Sequence, residues 1–124
     1  MSLKIISVVN ASKPEGEFVR LYASAKMNAK GYALVDRTFD SDGTISNEFR
    51  HIYVFPNIEL KAKDWIRLYT GNGKYKTVEN TDGSNIHLLY WNSNECVWND
   101  KGGDTATLIK YTVENKVIVP AVSK

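Results

Sequence analysis

Cysteine is almost absent from this chain of 124 residues, in which Cys96 stands alone. A lone cysteine forms no internal disulfide and cannot supply a zinc site built from several thiolates. A small side chain packed against the core is the simplest interpretation of Cys96. We therefore expect no disulfide framework. His51, His87 and Cys96 are far apart in the sequence, so we also expect no transition-metal centre, and no cofactor.

Long apolar runs and a strong charge of one sign are also lacking. No run is long enough to span a bilayer, and no apolar leader follows Met1, so we expect no membrane insertion. The formal net charge is +2, which is too small to name a partner by itself. The compartment, the oligomeric state and the parent protein stay open.

Apolar and aromatic residues are well represented. They make up 43% and 11% of the chain, and the aromatic residues run through its whole length. This is enough for one hydrophobic core, and the length is typical of one domain. We therefore treat residues 1–124 as a single domain.

Short runs of strand-forming residues recur between polar or glycine-bearing stretches, a pattern typical of a β-sandwich. The runs cover residues 4–9, 17–22, 32–36, 49–55, 65–70, 86–91, 106–112 and 116–120. The predicted turns are Asp42-Gly43, Asn72-Gly73, Asp82-Gly83 and Gly102-Gly103, with Glu114-Asn115 closing the last hairpin. Residues 23–29 are the only candidate for a short helical turn.

Alternation within the runs predicts which side chains face the core. In residues 65–69, Ile66 and Leu68 share one face, and Arg67 lies on the other. The predicted core consists of Val8, Val19, Leu21, Leu34, Val54, Ile66, Leu68, Leu88, Trp98 and Leu108.

Three segments resemble the lamin tail domain and together cover residues 5–118. The first is the glycine turn and strand of residues 14–22, followed by Gly31-Tyr32-Ala33-Leu34. The second joins Tyr53-Val54-Phe55-Pro56 to the strand of residues 60–71. The third is the most specific: Leu88-Leu89-Tyr90-Trp91, then Trp98-Asn99 and the Gly103-Asp104-Thr105 turn.

The chain departs from the family at two turns: Ala23 replaces a usual asparagine, and Lys63 replaces a usual glycine. The resemblance implies an all-β, immunoglobulin-like antiparallel β-sandwich. It also implies a non-catalytic module, since the family has no catalytic residues to carry over. Lamin tails contact protein partners and DNA, whereas the prokaryotic members, which this chain resembles, are often attached to secreted enzymes or surface proteins.

Catalytic patterns are missing. There is no Gly-x-Ser-x-Gly nucleophile motif, and His51 and His87 each lie inside a predicted strand, so we expect no enzyme activity. Asp104 is interpreted as a carboxylate that binds backbone amides in its turn. Asp40, Asp42 and Glu48 form only part of a calcium loop, and an ordinary hairpin turn is the simpler interpretation.

Basic and aromatic residues alternate through residues 61–76. The candidate binding residues are Trp65, Arg67, Tyr69, Lys63, Lys74 and Lys76. Such a surface can hold phosphates and stack bases, but it is also typical of a solvated sheet face. Exposed aromatics, with Tyr53 among them, would suit carbohydrate instead. The sequence thus predicts a recognition module for a protein partner or an accessory domain, with nucleic acid or polysaccharide as alternatives.

Overall fold

The computed structural model describes the backbone of residues 2–39, 45–98 and 105–122, and the side chains of residues 2–36, 51–98 and 105–122. Within these ranges the helical content is one 3-10 turn at Pro14–Gly16, and no helix is long and apolar enough to cross a membrane. The strands are β1 (Leu3–Val9), β2 (Phe18–Ala23), β3 (Met27–Asn28), β4 (Tyr32–Phe39), β5 (Ile45–Val54), β6 (Glu59–Leu60), β7 (Trp65–Tyr69), β8 (Lys76–Glu79), β9 (Asn85–Tyr90) and β10 (Thr105–Lys110). The all-β prediction is confirmed.

The strands form a five-stranded sheet in the order β1-β2-β7-β9-β8 and a three-stranded sheet in the order β10-β4-β5, with β3 and β6 as a small separate pair. Every described strand pair is antiparallel except β7 with β9. The parallel pair was not predicted. It arises because the chain passes from β7 to the sheet edge as β8 and returns as β9 between them.

The core lies between the two larger sheets. Val19 and Leu21 of β2 and Ile66 and Leu68 of β7 alternate with half-buried neighbours, and they pack in one cluster with Leu34 of β4. Each of these side chains is at most 1% exposed. Two sheets that share one apolar layer make a β-sandwich.

Three core predictions are wrong. Val8 lies at the end of edge strand β1, beyond a register shift, and is 37% exposed. Val54 pairs with Ala33 on the outer face of the three-stranded sheet, so it is 55% exposed and Tyr53 faces inward instead. In the Leu88-Leu89 doublet, Leu88 lies opposite Arg67 on the outer side and Leu89 enters the core. The remaining predicted core residues are buried, or, in the case of Leu108, pack partly buried against the core.

Two local predictions also fail. Residues 23–29 form bends and β3, because the Asn28 side chain accepts the backbone N–H groups of Lys30 and Ile58 and holds this segment against its neighbour. The hairpin at Glu114-Asn115 and the strand at residues 116–120 are absent, since residues 111–122 belong to no strand. A run of apolar residues predicts strand propensity but does not supply a partner.

Of the predicted turns within the described residues, Asp82-Gly83 is confirmed and Asn72-Gly73 is wrong, since residues 72–75 form no turn and β7 and β8 are not neighbours in the sheet. Asp82-Gly83 closes the β8–β9 hairpin, with Gly83 at φ 87° and the Asn80 N–H donating to Ser84 O at 2.7 Å. Lys63 has φ 75° in the turn before β7, a backbone region that favours glycine. The predictions at Asp42-Gly43, Gly102-Gly103, Asp40, Asp104 and the side chain of Glu48 lie outside the described residues.

Candidate recognition surface

One face of β7 points away from the core, as alternation predicts. Trp65, Arg67 and Tyr69 are half-buried there, while Ile66 and Leu68 between them are buried. The antiparallel register with β2 places Tyr22 opposite Trp65, Arg20 opposite Arg67 and Phe18 opposite Tyr69. The sheet therefore joins two aromatic and arginine-bearing strands into one surface.

The same register extends this surface across the sheet. We call it the outer face and define it as Lys4 of β1, Phe18, Arg20 and Tyr22 of β2, Trp65, Arg67 and Tyr69 of β7, Ile86, Leu88 and Tyr90 of β9, and Lys76 and Val78 of β8. These residues include cations and aromatics but no carboxylate. The outer face is therefore positive in charge although the whole chain is nearly neutral.

The aromatic rings of the outer face pack against one another across the strands. The ring centroids of Tyr22 and Trp65 are 4.9 Å apart, those of Phe18 and Tyr69 are 5.0 Å apart, and Tyr69 stacks on Tyr90 at 5.5 Å. Contacts at these distances stabilise the sheet beyond the area that they bury. They also hold the rings rigid, so that a ligand binding here would lose little side-chain entropy.

Arg20 and Arg67 are the most unusual feature of the outer face. They lie directly opposite each other, where like charges destabilise a sheet. The guanidinium carbon of Arg20 is 4.8 Å from the centroid of the Trp65 ring, and that of Arg67 is 5.6 Å from the Phe18 centroid. Neither arginine forms a salt bridge or hydrogen bond with any described residue, so both charges are held by ring contacts alone.

A concave site lies between these charges. It has a volume of about 210 Å³ and is lined by Arg20, Trp65, Arg67, Asn80 and Ile86. A second hollow of about 310 Å³ is lined by Lys4, Ile6, Tyr22, Ser24 and Trp65, so Trp65 borders both hollows. The first hollow offers donors for an anion, and the second offers mostly apolar walls with Lys4 at the rim.

The three lysines predicted to bind, Lys63, Lys74 and Lys76, differ in their position relative to the outer face. Lys76 pairs with Leu88 and belongs to the outer face. Lys74 is exposed on a loop whose Gly73 packs against the Tyr90 ring, and so borders that end of the face. Lys63 lies at the end of the sheet, where it lines a hollow with Asp82. The structure thus brings together the residues of β7 and Lys76, but not Lys63.

Tyr53, the alternative aromatic for carbohydrate, lies elsewhere. It packs against Phe55 at 5.1 Å and Trp91 at 5.5 Å beside the core, and burial raises its pKa. It cannot share a platform with Trp65 and Tyr69.

The residues of the outer face that sequence reasoning did not predict are Phe18, Arg20, Tyr22 and Tyr90. The alternation of Val19 and Leu21 around Arg20 indicates that Arg20 faces outward from β2. No local pattern indicates that β2 pairs with β7.

The second place where titratable groups meet is a cluster of the buried Asp64 and His87 with the half-exposed Tyr75. Asp64 Oδ1 accepts the Asn85 N–H, and Oδ2 accepts the Lys61 N–H at 2.9 Å. His87 Nε2 lies 3.0 Å from the same Oδ2, and the Tyr75 hydroxyl lies 2.8 Å from Nδ1. Asp64 therefore fixes the turn before β7, the start of β9 and the His87 ring at once.

The cluster resembles a relay of acid, base and nucleophile, but its electrostatics oppose that use. Burial, and then the charge of Asp64, raise the pKa of Tyr75, so the phenol stays protonated and donates to His87. Cys96, the other candidate nucleophile, has a pKa raised by burial and by the charges of Glu17 and Glu15. Neither group is activated, and the absence of catalysis stays a prediction.

Acid is expected to weaken the fold through Asp64. Burial raises the pKa of Asp64, but the hydrogen bonds from Lys61, Asn85 and His87 outweigh it, and the net pKa is lowered. A lowered pKa stabilises the fold above the usual carboxyl pKa of about 4, and this contribution is lost as the pH falls through the folded value. In urea titrations from pH 5 downward, Asp64→Asn should flatten the fall of the unfolding free energy. Glu79→Gln, which removes an exposed carboxyl from β8, should leave it unchanged. Equal slopes in wild type and Asp64→Asn would show that Asp64 does not carry the acid sensitivity.

The remaining histidine also faces a carboxylate rather than a ligand site. His51 Nδ1 lies 3.1 Å from Oδ2 of the buried Asp36, and the His51 ring meets Trp91 edge-on at 6.3 Å. No group of His, Cys, Asp or Glu side chains among the described residues could hold a metal ion. In comparisons with known proteins, the chain matches no protein-family model and no curated protein.

Proposed function

We propose that this chain is a non-catalytic recognition domain whose outer face binds single-stranded nucleic acid. The observation that carries the proposal is the opposed pair of Arg20 and Arg67, fixed on aromatic rings and without an anionic partner among the described residues. A phosphate group placed between the two guanidinium groups would remove their repulsion and accept several charge-assisted hydrogen bonds.

The surroundings of the pair favour a nucleotide over a simple anion. Trp65 borders both the arginine hollow and the more apolar hollow beside Tyr22, so a phosphate and its neighbouring base or sugar would have adjacent places. Lys4 and Lys76 at opposite sides of the sheet would contact phosphates further along the strand. Half-buried aromatic residues beside cations suit single strands, whose bases are free to stack.

We also propose the finer fold assignment, an immunoglobulin-like sandwich of the lamin tail type. The positive φ of Lys63 supports it, because that turn needs the backbone conformation for which the family's usual glycine is suited. The sheet order and the buried Trp98 are compatible with it. On this proposal the chain is an accessory module of a larger protein, and a protein partner is the alternative ligand of the outer face.

The test is the binding of a fluorescently labelled single-stranded oligonucleotide of mixed sequence, measured by anisotropy over a range of salt concentrations. The double variant Arg20→Gln, Arg67→Gln should weaken binding about tenfold or more. It should also lower the slope of log K against log salt by about 0.7, because the pair neutralises one phosphate. Glutamine keeps part of each stem on its ring, so the fold should survive.

The matched control removes two exposed charges, with Lys26→Gln and Lys30→Gln, neither of which belongs to the outer face as defined above. It should change affinity less than the arginine variant does and leave the salt slope near that of wild type. Trp65→Ala should weaken binding by about 1–3 kcal/mol through lost stacking. Equal losses in the arginine and control variants, or no binding by wild type at low salt, would refute the nucleic-acid proposal and favour a protein partner.

A further inference from the structure

The C-terminal segment, which we define as residues 112–122, is apolar and yet has no place in the fold. Val113, Val117, Ile118, Val119 and Val122 are 69–93% exposed. The segment belongs to no strand, and its one hydrogen bond within the described residues is local, from the Lys116 N–H to the Asn115 side chain. Exposed apolar side chains on a backbone without ladder hydrogen bonds are the features of a segment that lacks a packing partner.

The same chain contains an open place for a strand. Strand β10 is an edge of the three-stranded sheet, and β1 is an edge of the five-stranded sheet beside it. Between them lies a groove of about 470 Å³, lined by Ser2, Leu3, Tyr32, Leu108, Ile109 and Lys110. The edge of β10 thus offers unpaired backbone groups next to a hollow whose lining includes Leu3 of the core.

The segment matches this edge in pattern. Leu108 packs partly against the core, and Ile109 lies on the opposite face of β10, so a strand added here needs apolar residues on both sides. Val117, Ile118 and Val119 are apolar in succession and meet that need. Pro120 has no N–H group to donate. An edge strand tolerates this on its outward side, but the missing donor would end the pairing with β10 at this residue.

The structure favours an edge on another molecule over the segment's own β10. A hairpin would need a reversal after β10, but the Tyr111 N–H donates to Gly31 O at 2.8 Å, which continues the pairing with β4, and no turn follows. Eleven residues, when extended, reach about 36 Å, which is about the width of a small domain. The segment is therefore long enough to reach a neighbour.

The area involved reaches the size at which specific pairs form. At about 25 cal/mol per Å², the transfer energy of the three side chains of Val117, Ile118 and Val119 corresponds to roughly 240–300 Å² of apolar surface per segment. Two such segments and the two edges that receive them would bury roughly 1,000–1,200 Å² in total, at the lower end of the range of specific protein interfaces. A reciprocal exchange also gives a closed dimer, because no free segment or edge is left to add a third copy.

We propose that two copies of this chain exchange their C-terminal segments, each segment adding as a strand to β10 of the other copy in the groove between β10 and β1. The exchange completes the three-stranded sheet at that edge. The ligand of this site is thus a second copy of the chain, and the site is separate from the arginine pair of the outer face.

The first test is the molar mass of the chain in solution, measured by light scattering over a wide concentration range. Wild type should form a dimer, and Val117→Asp with Val119→Asp should convert it to a monomer with an unchanged circular dichroism spectrum. The matched control is Ile52→Asp with Val54→Asp, which charges exposed apolar residues on the outer side of β5. The control should remain dimeric. A wild type that stays monomeric, or an aspartate tail variant that stays dimeric, overturns the proposal.

The second test separates exchange from other dimers. One copy carries Lys110→Cys, a differently tagged copy carries Ile118→Cys, and both carry Cys96→Ser so that each has one thiol. A short bifunctional thiol reagent should then link the two tagged copies. The linked product can form only by contact between molecules, and its absence in a dimeric mixture would overturn the exchange.

Discussion

Replacing Glu17 by alanine is expected to lower the free energy of unfolding by about 3 kcal/mol. Glu17 is completely buried, and its Oε1 accepts hydrogen bonds from the Thr70 hydroxyl and from the N–H groups of Val97 and Trp98. Removing the acceptor leaves all these donors unpaired in the interior. It also releases the segment that carries Trp98, whose ring is part of the core.

Two further variants make the Glu17 experiment specific. Glu17→Gln keeps an oxygen at the position of Oε1 and should destabilise the protein less than alanine does. Glu15→Ala removes an exposed carboxyl from the neighbouring 3-10 turn and should change stability by less than about 0.5 kcal/mol. Urea denaturation measures all of them. A loss below about 1 kcal/mol for Glu17→Ala would mean that water or a rearranged loop satisfies the three donors.

Truncating Leu68 to alanine should lower the free energy of unfolding by about 2–5 kcal/mol, because Leu68 is fully buried at the centre of the sandwich. The change removes apolar contacts and leaves a cavity between the two sheets. Leu88→Ala is the matched control, since Leu88 is a half-buried leucine on the outer face of the adjacent strand β9.

The comparison of the two leucines tests the inward and outward assignment of the sheet. Leu88→Ala should cost less than half as much as Leu68→Ala, because much of its side chain is already in contact with solvent. Thermal or urea unfolding of both variants provides the measurement. If the two variants lose equal stability, the register that separates the core from the outer face is wrong.

Alternation along β2 and β7 also predicts the burial of two carboxyl groups, those of Glu17 and Asp64. Glu17 is in phase with Val19 and Leu21, and Asp64 is in phase with Ile66 and Leu68, so each falls on the core face of its strand. The sequence therefore carries a signal for both buried carboxyl groups. Both side chains satisfy backbone groups at the ends of strands, which explains why carboxyl groups are kept inside the protein.

The recognition surface was predictable only along one strand. The sequence indicated that Trp65, Arg67 and Tyr69 share a face, because side chains alternate in every strand. That Arg20 lies opposite Arg67 depends on the register between β2 and β7, which are separated by more than forty residues in the sequence. The binding role of all these residues stays a prediction.

By itself, the sequence determined the strand-rich composition, the turn at Asp82-Gly83 and the inward side of β2 and β7. These features follow from local properties: backbone preferences and an alternation with a period of two. Only the tertiary structure decided the parallel pairing of β7 with β9, the choice of Leu89 over Leu88, the opposed arginines and the unpaired state of residues 112–122. Each of these depends on which strands become neighbours, and contacts between segments far apart in the chain leave no periodic trace in the sequence of either segment.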